Sequence, residues 1–162
     1  MIMFIKTNLL SVKQRVARFL LAVLIILNLA FIFIHSMMPP EVVKEEADVA
    51  SDIVSDIVGE DSAAGELAED NMDKIAHFTE FGFLGFLVSV YVISFAVNPL
   101  RRIFALPIFS AFIAGIDETI QIFSGRNPDW RDALVDVIGF SVISIIIYII
   151  FFVVRTIKKK DF

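Results

Sequence analysis

The chain has 162 residues, of which 57% are hydrophobic and 17 are Phe, and its mean hydropathy of +0.80 is far too high for a soluble globular domain. Its formal charge of −5 is unevenly spread, with the acids crowded into one loop and the bases into short flanks. It lacks cysteine, which excludes disulfide frameworks, thiolate metal sites and thiol nucleophiles, and nothing in it reads as a nucleic-acid module. The composition predicts an all-α membrane protein with four transmembrane helices and an acidic extracytoplasmic loop holding a short amphipathic helix. Residues 1–162 form a single integral membrane domain in this reading.

A basic flank with Lys6, Lys13, Arg15 and Arg18 opens the chain, and the apolar run behind it spans about 16–38. The flank and run imitate a signal peptide. No A-x-A-like cleavage site follows and three more spans lie downstream, so an uncleaved anchor is expected. Asn28, a lone polar residue within the span, is expected to make an interhelical hydrogen bond. His35 and Ser36 mark the exit, and Pro39-Pro40 stops the helix.

Residues 39–73 form the acidic loop, in which twelve Asp and Glu face the single Lys44. Val49, Ile53 and Ile57, with Ala50, Val54 and Val58, make an apolar stripe at helical spacing opposite Asp48, Asp52 and Asp56. A short amphipathic helix ending at Gly59 is predicted. Anionic headgroups would repel it, so its stripe should lie on the protein or on a partner. Glu60 to Gly65 reads as a flexible linker.

The second span, about 75–97, has Asp70 or Asn71 as its cap. It places His77 and Glu80 at i, i+3 near its outer end. The basic turn from Asn98 to Arg102 leads to a third span, 103–123, softened by Pro107. Ser110, Ala111, Ala114 and Gly115 give that span small-residue spacings suited to close packing. The fourth span covers about 137–154 and ends in Arg155 and Lys158-Lys159-Lys160.

Between the last two spans lies the stretch DETIQIFSGRNPDWRDALVD, from Asp117 to Asp136. Asp117, Glu118 and Gln121 are expected on one helical face and Asp132 with Asp136 on the next, with Arg126 in the turn to neutralise them. At ~1.5 Å rise per residue, Glu80, Asp117 and Glu118 all lie ~7 to 9 Å inside their spans. An ionised carboxylate facing lipid at that depth costs roughly 2 to 3 kcal/mol, so these groups should face inward and pair. Ten of the 14 Lys and Arg residues lie in the two terminal flanks and the 98–102 turn, which predicts cytoplasmic termini. The acidic loop and the SGRNPDWRD connection, with Trp130 as interface anchor, would then share the outer side.

DKIAHFTEFGFLG, Asp73 to Gly85, and DETIQIFSGRNPDWRDALVDVIG, Asp117 to Gly139, resemble the VanZ-like family of small bacterial membrane proteins. The resemblance covers spans two to four. Where the family pattern usually has Pro before Gly-Arg and Asn four residues after the Asp, this chain has Ser124 and Asp136. The resemblance implies a multipass plasma-membrane protein whose founding members are associated with resistance to glycopeptide antibiotics, teicoplanin in particular. It implies no defined reaction.

Three function classes stay open from the residues. In the first, the outer polar site binds a lipid-linked cell-envelope component, with Arg126 and Arg131 meeting a phosphate and Gln121, Asp132 and Asp136 among the groups meeting hydroxyls or amines. In the second, His77 with Glu80, Asp117 or Glu118 supplies a general base or cation ligands to an intramembrane enzyme. No defined metal motif is present and no cofactor is expected; one imidazole among several carboxylates would suit Mg²⁺ or Mn²⁺ better than zinc. In the third, the helices scaffold a partner. Membrane lipids or a lipid-linked precursor are the expected partners, nucleic acid is not, and a homo-oligomer stays open.

Overall fold

A computed structural model describes residues 11–59, 62–95, 99–127 and 129–160. Among these residues the chain is five α-helices and contains no strand: α1 (Val12–Ser36), α2 (Pro40–Val58), α3 (Ala63–Ile93), α4 (Pro99–Phe123) and α5 (Trp130–Lys160). Four stretches are long and apolar enough to cross a membrane, namely Val12–Ser36, Asn71–Ile93, Phe104–Phe123 and Trp130–Ile157. All four expected spans are therefore present. The basic flank before residue 11, the linker residues 60–61 and the 96–98 turn lie outside the described residues.

The helix ends follow from local chemistry. Ser11 and Gln14 cap α1 reciprocally, the Ser11 hydroxyl accepting from Gln14 N at 3.3 Å and the Gln14 side chain accepting from Ser11 N at 3.0 Å. Pro40 starts α2, where a missing N–H costs nothing. Gly59, at φ 95°, ends it in a conformation that L side chains rarely adopt. Ser62 then caps α3 by accepting from Gly65 N at 3.0 Å, so residues 62–65 begin a helix and are not a flexible linker. Asn71 breaks α3 with φ −133° and ψ 18°, and its apolar portion starts there. Pro107 leaves α4 continuous.

The amphipathic helix is longer than its stripe suggested and turns a different face inward. Val43 and Ser51 are buried on α2 and Ala47, Ala50 and Val54 are half-buried, whereas Val49, Ile53 and Ile57 are exposed. Of the six stripe residues, Ala50 and Val54 thus turn towards the protein, where α2 packs chiefly against α3, and Val49, Ile53, Ile57 and Val58 do not.

A small core of Ile32, Phe81, Leu84, Val88, Leu106, Ile113, Ala114 and Phe140 holds the four spans together. Most other apolar side chains point outward, as expected for helices whose solvent is hydrocarbon. The closest packing lies between α3 and α5. A Cβ added at Gly85 would meet Phe140 O at 2.5 Å, and one added at Gly139 would meet Phe78 O at 2.5 Å. These glycines, and not the small residues of α4, let two backbones touch: Ser110 and Ala114 are buried, but Gly115 faces open space.

Overpacking a backbone contact forces helices apart, so Gly85→Ala and Gly139→Ala should each lower stability by roughly 1–3 kcal/mol. Gly115→Ala should stay within about 0.5 kcal/mol of wild type. Reversible unfolding in mixed micelles checks all three, and equal losses at 85 and 115 would contradict the packing.

Candidate functional site

The α3–α5 contact places a polar centre one turn away from itself. His77 precedes Phe78, and Asp136 lies one turn before Gly139, so the contact that seats Gly139 on Phe78 also sets Asp136 against His77. His77 Nδ1 lies 3.0 Å from Asp136 Oδ1, with both side chains almost wholly buried. His77 Nε2 and Asp136 Oδ2 have no hydrogen-bond partner among the described residues. The Asp that stands where the family pattern has Asn therefore sets its charge against an imidazole.

A second network ties α1 to α4. Asp117, 1% exposed, accepts from the Ser36 hydroxyl and from Gln121 Nε2, the latter at 2.9 Å. Ser124 donates to Ser36 O at 2.8 Å and closes the same corner. Glu118 points elsewhere: its Oε2 accepts from Asp129 N at 3.0 Å and anchors the loop into α5. Consecutive helical residues diverge by about 100°, so Asp117 and Gln121 share a face and Glu118 does not.

A third network joins α1, α2 and α3. His35 Nδ1 is 2.8 Å from Glu80 Oε1, and His35 Nε2 is 3.5 Å from Glu46 Oε2. His77 and Glu80, expected together, thus turn to different neighbours, His77 to α5 and Glu80 to α1. Sequence reasoning missed His35, Ser36, Glu46 and Asp73 as site residues. The signal for the first two was their polarity at the very end of an apolar run, level with the other buried charges; Glu46 gave none, since it sits among many similar acids.

Arg126 finds a different carboxylate partner from those expected. Arg126 NH2 lies 3.4 Å from Asp73 Oδ1, and none of Asp117, Glu118 or Asp132 pairs with it. Arg131 is exposed, with its guanidinium carbon 5.9 Å from the centre of the exposed Trp130 ring, outside the buried cluster. Asp132 is 9% exposed and shares a face with Asp136, as spacing predicts. Asn28 Oδ1 is buried without a hydrogen-bond partner among the described residues, in place of the expected interhelical bond.

Two cavities open beside these groups. One of about 340 Å³ lies between α1, α2 and α3, and its polar lining is His35, Glu46, Asp73 and Glu80. The other, about 410 Å³, runs between α1 and α3 along Leu24, Leu27 and Phe83. Phe31 and Glu80 line both, so the polar cavity continues into an apolar groove.

The VanZ/LLP1 family profile matches residues 19–152, which covers α2 and most of all four spans. The chain belongs to the VanZ/LLP1 family. The match is wider than the two motifs alone suggested, because it includes α1 and the acidic helix, the two elements that complete the polar cavity. Nothing among the curated proteins or the solved structures matches the chain. This VanZ/LLP1 chain is accordingly a multi-pass membrane protein whose chemistry has to be argued from its own side chains.

Burial separates two of its pairs energetically. The His77–Asp136 pair excludes water, and a double-mutant cycle on unfolding should give a coupling of roughly 1.5–3 kcal/mol. Asp73 is 45% exposed, so the same cycle on Arg126 and Asp73 should give less than about 1 kcal/mol. A larger coupling at the rim than at the buried pair would reverse this ranking.

Proposed function

We propose that this VanZ/LLP1 protein binds a lipid-linked component of the bacterial cell envelope at the outer face of the plasma membrane, and that through this it contributes to resistance to teicoplanin-type glycopeptides. The observation that supports the reading is the continuity of the two cavities. A ligand whose polar part meets His35, Glu46 and Glu80 and whose chain follows Leu24, Leu27 and Phe83 must be amphipathic. Leu24, Leu27, Phe31 and Phe83 are all exposed, so the groove opens sideways into the hydrocarbon, where such a molecule already resides.

The lining also favours a headgroup chemistry. Carboxylates and imidazole accept hydrogen bonds from hydroxyl and ammonium groups, and they disfavour a bare anion unless a cation stands nearby. Arg126, with Asp73 as its partner at the cavity edge, is the guanidinium available for a phosphate. Arg131, exposed beside Trp130, does not line this cavity. The favoured ligand therefore carries hydroxyls or amines on a lipid anchor, with any phosphate at the rim.

Sidedness rests on charge. The start of α1 and the end of α3 lie together, since Arg18 donates to Ser94 O and stands 3.9 Å from the Phe95 ring centre. The polar site lies at the opposite end of α1, at His35 and Ser36. Placing the basic flanks inside puts both termini in the cytoplasm and the site outside.

Filling the cavity tests the reading. Ala50 lines it from α2, and Ala50→Phe should displace lipid while leaving the spans intact. Native mass spectrometry from mild detergent should find an amphipathic envelope lipid on wild type and lose it on Ala50→Phe, and teicoplanin susceptibility should rise with that loss. An unchanged bound lipid and unchanged susceptibility in Ala50→Phe would refute the assignment. For sidedness, Cys at Glu46 or Asn127 should react with an impermeant thiol reagent in whole cells and Cys at Ser11 should not; the opposite pattern would place the site in the cytoplasm.

A further inference from the structure

We infer that His77, Asp73 and Asp132 form a divalent-cation site beside the lipid cavity, a role that the lipid-binding reading neither requires nor supplies. Each of the three offers one ligand atom, and these atoms lie within 4.8 Å of one another. Asp73 and His77 are i, i+4 on α3, and Asp132 faces them from the first turn of α5.

The orientation of His77 decides what the cluster can hold. Its Nδ1 is committed to Asp136, and in the neutral imidazole a proton on Nδ1 shared with that carboxylate leaves the lone pair on Nε2. Nε2 is buried, unpartnered, and belongs to a side chain only 4% exposed. A buried nitrogen lone pair with nothing to accept from is costly unless a ligand meets it. Histidines that bind metals show this same arrangement, the second ring nitrogen held by a carboxylate that fixes tautomer and ring orientation. Asp136 is then a positioning residue.

A second set, His77 with Asp117 and Asp136, is equally compact. Both Asp117 oxygens there are already engaged, by Ser36 and Gln121, and Asp136 Oδ1 is taken by His77, which leaves Asp136 Oδ2 as its one unpartnered oxygen. Asp132 has no Lys or Arg partner among the described residues, and Asp73 has only Arg126 at 3.4 Å. The half-exposed Asp73 also provides a path for an ion from water to the buried imidazole. Two carboxylates at the end of a membrane span need a compensating charge, and one divalent ion supplies it. Two hard oxygens with one imidazole nitrogen suit Mn²⁺ better than Ca²⁺, which takes oxygen alone.

The test uses the full-length protein in detergent, stripped with chelator and titrated with Mn²⁺. Electron paramagnetic resonance should report one bound Mn²⁺ per chain, and pulsed measurements should show coupling to an imidazole nitrogen. The chain has two histidines, so the coupling should persist in His35→Gln and vanish in His77→Gln. Asp132→Asn should weaken Mn²⁺ at least tenfold, and Asp136→Asn about 10- to 100-fold with the nitrogen coupling retained. Should the His77 and Asp132 variants fail to fold, the coupling in wild type and in His35→Gln still decides. Absence of stoichiometric Mn²⁺ or of nitrogen coupling in wild type, its loss in His35→Gln, or its survival in His77→Gln each overturns the site.

Discussion

Backbone contact between α3 and α5 is the constraint on which the rest depends. In a bilayer, lipid tails are as apolar as Leu, so helices gain little from burying side chains against each other and must find close van der Waals contact or polar bonds. Gly85 against Phe140 and Gly139 against Phe78 supply the contact, and His77 with Asp136 supplies the polar bond one turn away. The two support each other. Only at this separation can the imidazole reach the carboxylate, and only that partner makes a carboxylate tolerable at 0% exposure.

The first helix is attached by a different logic. Few of its side chains are buried, Ile32 and Ser36 being the exceptions, and most of its length faces outward. Polar contacts hold both ends: Arg18 with Ser94 O and Phe95 at one, Ser36 with Asp117 and His35 with Glu80 at the other. A helix pinned at its ends and loosely packed along its middle leaves a groove beside it. The groove along Leu24, Leu27 and Phe83 is that gap, and the acidic helix roofs the cavity in which it ends. Family membership spans all of these elements, so the architecture that makes the groove belongs to the region matched by VanZ/LLP1.

Polar groups at the His35 end of α1 fall into separate, adjoining networks with different properties. The Ser36–Asp117–Gln121 corner is closed and satisfied by neutral donors, which suits a structural lock. The His35–Glu46–Glu80 group lines a cavity, which suits recognition of a headgroup. His77 keeps a free nitrogen beside two underused carboxylates, which suits an ion. The acidic groups of the sequence thus divide among three networks, because Asp117 meets Ser36, Glu46 and Glu80 meet His35, and Asp136 meets His77.

Sequence alone determined the membrane class, the four spans, the presence of an amphipathic helix and the family, since these depend on local hydropathy and on short motifs that hydrocarbon solvation and helical periodicity make legible. It also brought Asp117, Asp132, Asp136 and His77 to one level of the bundle, because helix rise converts position into height. What it left open was azimuth. Residues 117 and 118, or 77 and 80, differ by fractions of a turn that only the crossing of neighbouring helices resolves into separate partners. Arg126 paired with Asp73, and His35 and Glu46 joined the site, because packing between distant segments chose among several acids of equal local merit. That choice is a tertiary one: electrostatic attraction does not discriminate among nearby carboxylates, and the glycine contact between α3 and α5 fixes which of them come within reach.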